Sequence, residues 1–170
     1  MTVDLSQMRN FRLLVNCTDV YLQDLPITLN PHIKSMRINH AGLERLETNL
    51  QFYPNLILCD LSHNRLSTLT PYAFEAQSQL NRLSVSNNRI ATIYKESLHG
   101  LVNLQSLDLS HNKLTHLGAN LFAQMNTLTD LDLSANSIGS IHRMAFEVRF
   151  STHLYSILIR DIPTNQGAAS

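Results

Sequence analysis

The side chains able to do chemistry are eight His, two Cys and 13 Asp+Glu in a chain of 170 residues. His40, His63 and His111 recur in related sequence contexts, and a stacked imidazole column could hold a transition metal. Asn87 and Ala135 fall in the same series and break the column, so no metal is expected. No H-E-x-x-H, G-x-S-x-G, P-loop or C-x-x-C run occurs, so neither an enzyme nor a bound cofactor is expected. Two cysteines cannot build a disulfide framework. The chemistry left is recognition and modification. Asn16-Cys17-Thr18 is the single N-x-[ST] triplet and nominates Asn16 for glycosylation.

Bulk properties narrow the partner. Lys+Arg and Asp+Glu balance at 13 each, which gives a net charge of zero and a pI near 7.1. That balance argues against a general pull toward polyanions, so no nucleic-acid partner is expected. A chain that is 44% hydrophobic can bury a core. No apolar run approaches the ~18–20 residues of a membrane span, so no direct membrane insertion is expected. Asp4, Arg9 and Arg12 interrupt the first residues, which do not read as a signal peptide.

Leu occurs 29 times and Asn 16 times, which suggests fixed places for both in a repeating unit. The template L-x-x-L-x-L-x-x-N-x-L-x-x-L fits Leu104, Leu107, Leu109, Asn112, Leu114 and Leu117. It fits again from Leu128 with Asn136, from Leu80 with Asn88, and from Leu56 with Asn64, where Cys59 takes a Leu slot. A degenerate copy starts at Ile33, with Ala41 in the Asn slot. A second register, Phe74, Leu98, Phe122 and Phe146, has the same period of 24. Alternation in x-L-x-L-x predicts a short strand with one buried face. The Asn ends that strand. Its amide can bond both its own turn and the neighbouring coil, so Asn64, Asn88, Asn112 and Asn136 should form a buried structural ladder. No single unit can bury its apolar face alone, whereas stacked units share one core.

These motifs, over roughly residues 13 to 146, resemble the extracellular animal type of leucine-rich repeat, as in the N-terminal part of a Toll-like receptor ectodomain. The resemblance implies an α/β-type repeat solenoid. It would be a right-handed horseshoe segment with a short parallel β-sheet on the concave face and a mostly irregular convex side. Residues 1–32 read as a partial N-terminal cap. Five repeats then start at 33, 56, 80, 104 and 128, and 147–170 read as a degenerate last coil and tail. Val15, Cys17, Leu22, Leu25 and Pro26 are similar to the end of a cysteine-rich cap whose upstream cysteines are missing here. Cys17 is therefore expected to be a free or mispaired thiol, and the chain reads as a shortened or alternatively ended form of a longer repeat protein. Ile157 and Ile159 could make one further strand, followed by a frayed tail after Ile162.

Outward strand positions vary from copy to copy while the Leu, Asn and Phe slots stay fixed. Arg37, Asp60, Arg82, Asp108, Asp130 and Asp132 are the charged members and the candidate partner-binding residues. The expected partner is a protein ligand or co-receptor. The expected setting is extracellular or at the cell surface, in innate immunity or cell adhesion. The alternative is a cytoplasmic leucine-rich repeat scaffold. Oligomeric state stays open.

Overall fold

A computed structural model describes residues 14–19, 21–22, 24–26, 29–46, 48–146 and a strand at 156–158. Seven strands form one parallel sheet: β1 (Leu14–Thr18), β2 (Ser35–Asn39), β3 (Leu58–Asp60), β5 (Arg82–Ser84), β7 (Ser106–Asp108), β9 (Asp130–Asp132) and β11 (Ser156–Leu158). The return path of each coil carries only two-residue strands. β4 (Thr68–Leu69) pairs with β6 (Thr92–Ile93), and β8 (His116–Leu117) pairs with β10 (Ser140–Ile141). Helix is confined, among the described residues, to a 3-10 segment at Thr48–Phe52, so the coils form a β-solenoid. The sheet extends one strand beyond the repeats at its N-terminal end, because the cap segment Leu14–Thr18 alternates with the same period. The tail after Ile162 and residues 1–13 lie outside the described residues.

Register is set by the buried slots. Met36, Cys59, Leu83, Leu107 and Leu131 are successive Cα partners and all point inward. Phe74 and Phe122 fill the far half of the core, and the Phe122 and Phe146 rings stack at 5.3 Å. Gln77 is a polar residue inside the core. It occupies the phase of Tyr53, Leu101 and Met125 and is fully buried. Its amide nitrogen donates to the Leu50 carbonyl at 2.7 Å, tying one coil to the previous one.

The Asn ladder is the other tie. Asn112 Nδ2 donates to the carbonyls of Leu109 and Ser110 in its own turn and to Val85 of the preceding coil, at 3.0–3.2 Å. Its Oδ1 accepts from Ile90 N at 3.0 Å. Asn88 repeats this pattern, and Asn64 does so with two backbone donors, Ala41 and Leu43. Asn64, Asn88 and Asn112 are each 8% exposed. Asn136 makes the same bonds but is only half-buried, contrary to expectation. The Asn slot of the following coil holds Ile162 in the sequence, so Asn136 is the final Asn rung.

The residue before each rung explains the histidines. Asp19, His40, His63, Asn87, His111 and Ala135 all have φ between 52° and 57°, the left-handed region. Asp, Asn and His are enriched there because the cost of a Cβ in this region is partly offset by local hydrogen bonding. The backbone turn thus selects this column, and His40 and His63 stack with centroids 4.6 Å apart. Tyr72 and Asn120 share the same conformation on the return path.

Cys17 and Cys59 are both free and buried. Cys17 pairs with Ile38, whereas Cys59 pairs with Met36, so they differ by two strands and by two residues in register. Two strand spacings are about 10 Å, beyond the reach of a disulfide. Burial and the neighbouring Asp60 charge push the Cys59 thiol up to about 12, and burial also raises Cys17.

Three outcomes follow from this packing. Asn112→Ala should lower unfolding free energy by about 2–4 kcal/mol, because it strands several backbone groups in the core. Asn136→Ala should cost less, since water reaches its rung, and the exposed Asn126→Ala should change stability by under about 0.5 kcal/mol. Urea midpoints of the three variants check the order. Ala135→Asn should raise stability by about 0.5–1 kcal/mol in the same assay, by relieving the penalty on a left-handed alanine. In native labelling at pH 8 the Cys59 thiolate is nearly absent. Alkylation should therefore modify Cys17 first, through opening of the terminal strand, and equal rates would contradict the burial order.

Candidate functional site

Pleating sends alternate strand residues to opposite faces, so the outward columns form one continuous surface across the sheet. The fifth-position column runs Asn16, Arg37, Asp60, Ser84, Asp108, Asp132 in direct register. Its three carboxylates are turn devices. Asp60 accepts from Ser62 N at 3.1 Å, Asp108 from Ser110 N at 3.0 Å, and Asp132 from Ser134 N at 2.8 Å. Each closes the end of a three-residue strand just before the left-handed residue. Asp60 and Asp108 also bond sideways. Asn39 Nδ2 donates to Asp60 Oδ2 at 3.2 Å and to Ser62 Oγ at 2.8 Å, and Ser84 Oγ donates to Asp108 Oδ2 at 3.2 Å. Asp60, Asp108 and Asp132 are therefore held within the sheet surface.

The other three candidates project further. Arg37 is 54% exposed on its side chain and approaches Asp60 with Nε–Oδ2 at 3.9 Å. An exposed pair of that length contributes little to stability. Arg82 and Asp130 sit in the third-position column, on strands separated by β7, and both are exposed. The Asp130 carboxylate accepts the Thr129 hydroxyl at 2.8 Å. Asn16 faces the same side, exposed, with Cα opposite Arg37.

A second feature lies along the rim, where strands turn into the return path. A groove of about 840 Å³ is lined by Asp19, Tyr21, His40, Gly42, His63, Arg65, Asn87, Arg89 and His111, among others. Gly42 has φ +75°, and a Cβ there would meet the Tyr21 ring at 3.2 Å, so the missing side chain lets the tyrosine lie across the turn. The left-handed column supplies the imidazoles. The residue after each rung supplies a cation in three consecutive coils, Arg65, Arg89 and Lys113, all exposed. Sequence reasoning missed this groove, although the basic slot was visible in the 24-residue phase. The zero net charge conceals a local concentration of positive charge. Among the described residues no group of three or more His, Cys, Asp or Glu side chains converges to hold a metal ion. No helix there is long and apolar enough to cross a membrane.

Comparison with known proteins agrees with this architecture. The family described as "Leucine rich repeat" matches residues 54–114 and, one coil on, 78–138, together half of the chain. A solved complex of Toll with Spatzle, described as a molecular hub in Drosophila development and innate immunity, superposes with a TM-score of 0.71 at 28% identity. That match covers 78% of this chain and 18% of the Toll structure's chain. TLR13 in complex with ssRNA13 superposes with a TM-score of 0.60 at 21% identity, covering 79% of this chain and 23% of that one. The chain thus spans about a fifth of the length of either. An exclusion of nucleic acid cannot be drawn from this fold, since TLR13 is seen with RNA. With its period, its Asn ladder and its parallel sheet all in phase, this chain belongs to the leucine-rich repeat family and is built like a segment of the Toll type.

Proposed function

We propose that the chain is a non-catalytic recognition segment of an extracellular or cell-surface receptor in innate immunity, docking a protein on the concave strand face. The observation that carries this reading is an open strand face whose outward polar and charged side chains are set in register across the sheet. Outward strand positions change from coil to coil while inward slots repeat. The face is broad and open, which suits an extended protein surface better than a reaction needing a dry, enclosed pocket. The Toll structure, held with its protein partner Spatzle, supports a protein ligand. A cytoplasmic scaffold is the alternative setting, and a glycan on Asn16 in the native protein would reject it.

A second reading rests on the rim groove. Arg65, Arg89 and Lys113 recur once per coil, about 4.8 Å apart, beside His63 and His111, so an anionic strand could run along them. Homopolymeric single-stranded RNA is the probe. If three phosphates are neutralised, log K against log salt should slope by about −2, and reversing the three cations should remove the binding.

For the main reading, partners are captured with the longest natural form of the protein and their affinities measured for two triple variants. Arg37→Glu, Arg82→Glu and Asp130→Lys together should weaken binding by at least about tenfold, or ~1.4 kcal/mol, with the melting curve unchanged. Glu75→Lys, Lys95→Glu and Arg143→Glu, exposed residues off the concave face, should leave it within about twofold. Loss confined to this second set would overturn the concave assignment.

A further inference from the structure

We propose that Asn16 carries an N-linked oligosaccharide that covers the N-terminal end of the concave face and confines protein docking to the surface from β5 onward. The inference rests on the extracellular reading above and deepens it. It begins with placement. The acceptor triplet Asn16-Cys17-Thr18 lies in a strand, with Asn16 and Thr18 turned outward and Val15 and Cys17 turned into the core. The alternation fixes which face Asn16 joins, and a slip of one residue would put it in the core. The Thr18 hydroxyl donates to Asn16 Oδ1 at 2.8 Å, so it engages the amide at its oxygen; the glycan bond forms at the other end, Nδ2.

The transfer balances without an oxidant. Nδ2 forms a bond to the anomeric carbon of a lipid-diphosphate-linked oligosaccharide, the anomeric carbon–oxygen bond breaks, the lipid diphosphate leaves, and the amide gives up one proton. Because the side chain is exposed in the folded chain, a bulky polar group there displaces no packing.

The consequence follows from register. Arg37 is the direct neighbour of Asn16 and Asp60 is the next, so both lie within about 10 Å of the attachment point. Arg82 is three strands away, at about 14 Å, and Asp130 five strands away, at about 24 Å. An oligosaccharide held on the inner side of a curved sheet lies first over the Arg37–Asp60 pair. That leaves Arg82, Asp130 and the Asp108–Asp132 region as the face a polypeptide can reach, so that in the charge-reversal set above Arg82 and Asp130 carry the loss of binding and Arg37 adds nothing to it.

The test needs no partner, so its failure and that of the docking reading can be told apart. The full chain is secreted from animal cells behind a cleavable leader, as wild type, Thr18→Ser, Thr18→Ala and Asn16→Gln. Peptide masses should show hexose and N-acetylhexosamine increments on the Asn16 peptide in wild type and Thr18→Ser, and none in the other two. An arginine-specific dicarbonyl reagent should then modify Arg37 several-fold more slowly in the two glycosylated forms, with Arg82 equal in all four. Enzymatic removal of the glycan from folded wild type should restore the Arg37 rate, which keeps the test valid if a substituted chain misfolds. Secreted wild type without sugar, or equal Arg37 rates with and without it, would overturn the proposal.

Discussion

Everything in this solenoid depends on a buried primary amide. A strand of three residues must end in a turn, and the turn faces a core of apolar side chains that offer its carbonyls and N–H groups no partner. Asn answers both sides at once. In Asn112 the nitrogen serves carbonyls in two coils and the oxygen serves the amide of Ile90 in the coil before. No other side chain of that length both donates and accepts without charge. Leu packing makes stacking favourable, but apolar contact is non-directional. The ladder converts stacking into a fixed register.

The register has a price at the surface. Each turn after a strand forces a left-handed residue, and each strand end wants an acceptor. The outward Asp column supplies that acceptor, so residues that look like a docking charge are partly committed to the backbone. Asp60, Asp108 and Asp132 each close a bend two residues on, and the side chains of Asn39 and Ser84 link neighbouring strands through them. Arg82 and Asp130 stand in the third-position column, outside that row of acceptors, and Arg37 stands in the row as a cation that cannot accept.

Much of this was legible in the residues alone. The 24-residue phase located the inward Leu column and the slot of Cys59, because burial imposes a strict period, whereas the strand around Ile157 was legible only from its own alternation, 26 residues on from Leu131. What was not legible had a common cause: residue type does not reveal which backbone group a side chain meets. His40, His63 and His111 looked like a broken metal column, but they sit at a backbone conformation that His tolerates. Gln77 is polar, a type usually found outside, yet it shares the phase of Tyr53 and Leu101 and lies in the core, where it caps the Leu50 carbonyl. The rim groove escaped notice because its basic residues cancel in the total charge.

The ladder also has a mechanical meaning. Each amide ties a coil to the one before it, and the backbone bonds of the sheet do the same. Tension applied to the two ends of the segment therefore loads the terminal coil first, and that coil can detach while its neighbours stay bonded. Each detachment frees about 24 residues, a slack of about 80 Å of extended chain. A segment of this kind strung between two surfaces would give way in steps, lengthening by whole coils instead of rupturing at once.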